Sequence, residues 1–88
     1  MPIISLFYGI TIKMYFNDNE RHHAPHFHAK YAEHEASFDL DGNLLAGEFP
    51  PKQSKYIDVW ADIHKSELLR LWELMQTTDE YFKIKGLI

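Results

Sequence analysis

Pro25-His26-Phe27-His28-Ala29-Lys30-Tyr31-Ala32-Glu33-His34-Glu35-Ala36-Ser37-Phe38-Asp39-Leu40 is the stretch that decides the fold. From Phe27 to Tyr31 and from His34 to Leu40, apolar residues alternate with polar ones. That is the period of a strand with one buried face. Ala32-Glu33 is left as a two-residue connection between two antiparallel strands. In this register Phe27 faces Phe38, Ala29 faces Ala36 and Tyr31 faces His34 on an apolar side. The other side is polar, with His26 across from Asp39, His28 across from Ser37 and Lys30 across from Glu35.

The hairpin also carries the densest chemistry in the chain. His22-His23-Ala24-Pro25-His26-Phe27-His28 holds four of the six histidines. Pro25 fixes its own φ and biases Ala24 toward an extended form, so the chain enters the first strand already stretched. Phe27 belongs to the core, and His26 and His28 then project together onto the polar face. Paired imidazoles suit metal binding, proton transfer or anion binding. The candidate metal set is His26, His28, Asp39 and Glu48, holding a divalent metal ion, and His26 and His28 are also the candidate catalytic acid and base. Against this stands a plainer reading, an exposed or hydrogen-bonded pair that caps the sheet. His22 and His23 lie in a loop, where histidines are usually just solvated. With no His-Glu-x-x-His and no cysteine, zincin, zinc-finger, thiolate and disulfide chemistry are excluded.

Outward from the hairpin, Asp41-Gly42-Asn43 predicts a second reversal. Either two-residue connection, Asp-Gly or Gly-Asn, puts Leu45, Gly47 and Phe49 on the core side and Glu48 on the histidine face, whereas a three-residue loop would expose Leu45 and Phe49. Upstream, Ile3 to Phe7 reads as a short strand, and Gly9 as a bulge or tight bend into a longer strand, Ile10 to Phe16, with Ile10, Ile12, Met14 and Phe16 on its core face. Asn17-Asp18-Asn19 has turn chemistry. Downstream, Pro50-Pro51 stops the sheet and Pro51 opens a long helix from about Lys52 to Gln76. Its apolar stripe of Tyr56, Val59, Trp60 and Ile63 is out of phase with Leu68, Leu71, Trp72 and Met75, so either the helix kinks near His64 or two layers contact it. Trp60 is expected against Phe27, Phe38 and Ile12, and Tyr81 to Ile84 as a last short strand. The fold expected is α+β: a mainly antiparallel sheet of four to five strands packed against one long, kinked C-terminal helix, in a single domain over residues 1–88.

At 88 residues, a single core is only marginally sufficient without a partner. The two Trp, five Tyr and six Phe supply much of it. The apolar opening residues lack a basic n-region and alternate like a strand, not like a signal peptide, and no apolar run is long enough to cross a bilayer. The absence of cysteine fits a reducing compartment, and the protein is read as cytoplasmic. With 9 Lys and Arg against 13 Asp and Glu, the net charge of −4 argues against broad binding to nucleic acid but leaves room for a local basic patch.

Pro2-Ile3-Ile4-Ser5, Phe7-Tyr8-Gly9-Ile10, Pro25-His26-Phe27-His28-Ala29 and the segment from Trp60 to Trp72 resemble the domain of unknown function 4160 family along nearly the whole chain. The family pattern places a second Pro where Ala24 stands, and often a Gly at the turn where Ala32 stands. Ala32 disfavours the positive φ of a primed turn. The resemblance implies a small bacterial protein whose gene often neighbours one for another small domain of unknown function, with a toxin–antitoxin role suspected.

Three functions are compatible with these features. The first is a protein-interaction or regulatory module of such a two-gene pair, forming a homo-oligomer or binding a small protein partner. The second is a metal- or histidine-dependent hydrolase, such as a ribonuclease toxin, with the histidines as acid and base and Lys30 stabilising phosphate charge. The third is a binding protein whose histidine face holds a metal or small anion for structure only. Lys52, Lys55, Lys65 and Arg70 are further candidates for phosphate contact, although helix cations mostly face water.

Overall fold

The computed structural model describes residues 2–17 and 24–87. Five strands form one antiparallel sheet in sequence order: β1 (Ile3–Phe7), β2 (Ile10–Lys13), β3 (His26–Tyr31), β4 (His34–Asp39) and β5 (Leu44–Gly47). Two helices follow, α1 (Pro51–Ile63) and α2 (Lys65–Thr77). The α+β class and the antiparallel sheet are as the alternation implies. The single kinked helix is corrected to two helices separated at His64.

Local chemistry explains each reversal. Tyr8 and Gly9 have φ of 49° and 78°, and Phe7 pairs with Ile10, so β1 and β2 are joined by a two-residue turn with both central residues left-handed, for which Gly9 is well suited. The β3–β4 register is the one the alternation dictates, from Tyr31 opposite His34 to His26 opposite Asp39. Ala32 opens that connection at φ 52°, against its preference.

The β4–β5 reversal differs from expectation. The chain turns through Leu40–Gly42: Gly42 N–H donates to Asp39 O at 3.0 Å and Asp39 N–H donates to Asn43 O at 2.9 Å. Phe38 then pairs with Leu44 but Ser37 with Ala46, so Leu45 is the extra residue of a bulge and is 52% exposed, not buried. The bulge restores the expected parity beyond it, and Phe49 packs edge-on to Phe38 at 5.5 Å. Burial of Leu45 lost to side-chain turn chemistry, because the Asp39 carboxylate gathers the loop amides. Gly47 lies opposite Ala36 at φ 86°, where a Cβ would collide with Glu35 O and stand 2.9 Å from Ala36 Cα. Only glycine lets β5 approach β4 so closely.

The core lies between the sheet and the helices. Trp60 is fully buried, 5.5 Å from Phe27 and 5.3 Å from Phe7 between ring centres, while Phe27 stacks on Phe38 at 5.7 Å. Ile57, Trp60 and Ala61 face inward from α1, and Leu68, Leu71, Trp72 and Met75 from α2. These positions are in phase across His64. The expected slide of the stripe came from counting Val59 and Ile63, which point outward. A straight helix over residues 51–77 would be about 40 Å long, but the molecule measures only 33 Å in its longest dimension. His64, at φ −107° and ψ 22°, turns the chain so that both halves cover one small core, and its Nδ1 pairs with Glu67 Oε1 at 2.6 Å.

After α2 the chain runs back along β1 without forming the expected strand at Tyr81–Ile84. Ile84 N–H donates to Ile4 O at 2.7 Å, and the Trp60 indole N–H donates to Lys85 O at 2.9 Å. Among the described residues, no helix is long and apolar enough to cross a membrane.

Candidate functional site: the outer face of the sheet

With helices on one side, the other side of the sheet carries the polar residues. Lys13 on β2 lies opposite His28 on β3, His28 opposite Ser37 on β4, and Ser37 opposite Ala46 on β5. The adjacent row runs from Thr11 to Lys30 to Glu35. Tyr15, just beyond β2, closes the first row, its ring 4.4 Å from the His28 ring. Long side chains on β2 and β3 form a wall, and Ser37, Ala46 and Gly47 form a low floor. The result is a concavity of about 570 Å³ lined by Thr11, Lys13, Tyr15, His28, Lys30 and Ser37, with Glu35 at its rim. Lys30 and Glu35 approach to 4.0 Å, both well exposed. At that exposure the pair is screened and adds little to stability.

His26 and His28 are brought together, their rings 5.2 Å apart, but in different surroundings. His28 lines the open concavity. His26 is only 3% exposed, because Trp72 of α2 reaches the end of the sheet and packs 5.1 Å from its ring. Its Nδ1 donates to Ala24 O at 3.0 Å.

Asp39 lies opposite His26 in the ladder, yet its carboxylate turns to the β4–β5 loop. Oδ1 accepts from Asp41 N–H and Asn43 N–H at 2.9 Å each, and Oδ2 from the Asn43 side chain at 3.1 Å. Burial pushes this carboxyl up, but the Asn43 and Asp41 hydrogen bonds, with the Lys65 charge nearby, outweigh it and hold its pKa below the ordinary value. Glu48 is at the far end of the hairpin, in a hollow with His34, Leu44, Phe49 and Pro50. The four residues expected as a metal set are therefore not assembled, and among the described residues no group of three or more His, Cys, Asp or Glu could hold a metal ion.

His22 and His23 lie outside the described residues. His34 sits 3.5 Å from Glu33, Lys65 pairs with Asp41, and the Arg70 guanidinium lies over the Phe82 ring at 5.9 Å. Sequence reasoning missed Thr11 and Lys13 as site residues. Their alternation on β2 was legible, but the register of β2 on β3, which sets Lys13 beside His28, crosses a long connection that no turn signal fixes.

The family described as Domain of unknown function (DUF4160) matches residues 9–73. The chain belongs to this family. The DUF4160 match runs from the β1–β2 turn into α2, so it contains every residue of the concavity together with Trp60 and Trp72. Neither the curated proteins nor the solved structures contain a match to the chain.

Proposed function

We propose that this DUF4160 protein is a protein-interaction module of regulatory type, whose partner covers the surface where the β4–β5 loop meets α1. The observation that carries the reading is the exposure of large aliphatic side chains on these two elements: Leu44 and Leu45 of β5 are each 52% exposed, and Val59 and Ile63 of α1 are 51% and 61% exposed. Gly42 sits against Asp58 and Ala61, which brings the β4–β5 loop beside α1, and Val59 shares a hollow with Asp41, Asp58, Asp62 and Lys65. Exposed apolar groups rimmed by charge are the anatomy of an association surface. The acidic rim favours a partner with basic residues at its own edge. The gene context implied by the resemblance makes the product of the neighbouring gene the first partner to test, in a toxin–antitoxin-like pair, and a second copy of the chain the next. Sedimentation of the wild type with each should give a complex that a Leu45→Glu, Ile63→Glu double variant fails to form. A complex indifferent to these substitutions would defeat the proposal.

A histidine-dependent hydrolase is the second reading, favoured by the row that sets His28 between Lys13 and Ser37 on the open face. There His28 would transfer the proton, Lys13 and Lys30 would stabilise phosphate charge, and the buried His26 would position His28. Cleavage of a ribonucleotide phosphodiester, lost in His28→Gln with the fold intact, would support it. Equal rates in both proteins would end it.

A further inference from the structure

The concavity on the outer face of the sheet is built differently from the proposed association surface. We propose that it is a binding site for a nucleoside phosphate, with the base against Tyr15 and His28 and the phosphate between Lys13 and Lys30. The inference does not rest on the interaction reading; it shares its residues with the hydrolase reading but requires binding alone, without hydrolysis.

Three observations carry it. First, charge: the chain is acidic, at −4 overall, yet the concavity draws Lys13 and Lys30 from adjacent strands with Glu35 as its one lining carboxylate. Lys13 stands directly opposite His28 and Lys30 directly opposite Thr11, so the two lysines are diagonal neighbours in the ladder, a placement from which both can reach one phosphate. Second, ring surface: Tyr15 and His28 meet at 4.4 Å with their planes inclined at 54°. This leaves a planar group next to the lysines on which a base can stack whatever its sequence. Third, shape: a volume of about 570 Å³ falls within the range of small-ligand sites, and it is kept open by the small residues Ser37, Ala46 and Gly47. The hydroxyls of Thr11 and Ser37 line the same space and can bond the sugar.

A bare oxyanion would use only the lysines, and an apolar ligand would gain nothing from them. A free nucleotide and a nucleotide within an RNA strand present the same chemistry. Isothermal titration can separate them with three probes: inorganic phosphate, uridine 5′-monophosphate and a hexauridylate. In the wild type the nucleotide should bind more tightly than inorganic phosphate, and its affinity should fall as salt rises. Lys13→Gln, Lys30→Gln should weaken it by about tenfold or more, with Lys13→Arg, Lys30→Arg retaining most of the binding. Tyr15→Leu should remove the advantage of nucleotide over phosphate. If the double variant fails to fold, the exposed Lys30→Gln alone should still weaken binding. Hexauridylate binding far more tightly than the mononucleotide assigns the site to a strand, and equal binding assigns it to a free nucleotide; both support the proposal. No binding of either nucleotide form, equal affinity for phosphate and nucleotide, or undiminished binding by a folded lysine variant would overturn it.

Discussion

Ala32 is held at φ 52° by the strands on either side of it, an arrangement that costs an L-residue about 1–2 kcal/mol relative to its preferred region. Ala32→Gly removes that strain while adding freedom to the unfolded chain, so a net gain of up to about 1 kcal/mol is expected in urea unfolding. Asp39 presents the opposite case, a side chain whose local bonds hold a loop. Asp39→Ala should cost about 1–2 kcal/mol, because the amides of Asp41 and Asn43 lose their acceptor. Its folded pKa lies below the unfolded one, so its contribution is present above the ordinary carboxylate range and fades as pH falls through the folded value. Acid titration of stability should therefore be flatter in Asp39→Ala than in the wild type. At this scale, parity made the companionship of His26 and His28 legible in the sequence. It could not reveal that one is covered, because Trp72 reaches His26 from forty-six positions away in the chain.

Elements were legible where turn chemistry and alternation agree, as in the β3–β4 hairpin, where every expected cross-strand pair is present. They were misread where a side chain competes with burial: the Asp39 carboxylate recruits the loop, the connection shifts, and Leu45 is left outside. The helix stripe was misread differently, since Val59 and Ile63 are apolar yet face solvent, and the true stripe through Ile57 and Ala61 uses smaller signals. Two outcomes follow for the packed elements. Trp60→Ala should cost about 3–5 kcal/mol by denaturant midpoint. Trp60→Phe should cost less, although it loses the hydrogen bond to Lys85 O that anchors the final segment. Gly47→Val should shift the midpoint further than an exposed strand position normally would, because its Cβ has no room beside Ala36.

Over the whole molecule, the helices bury one side of the sheet, the other side carries a basic, ring-bearing concavity, and large aliphatic side chains of β5 and α1 face solvent. A chain of 88 residues has a small core, and leaving Leu44, Leu45, Val59 and Ile63 in water is a cost that association would remove. The measurement closest to this claim is methyl NMR of the leucine, valine and isoleucine side chains, recorded with increasing protein concentration and then with the product of the neighbouring gene. The account predicts that the methyl resonances of Leu44, Leu45, Val59 and Ile63 shift together in one of the two titrations, while those of buried Ile57 and Leu68 stay fixed. Unmoved resonances at these four residues in both titrations, or shifts confined to another part of the surface, would contradict it.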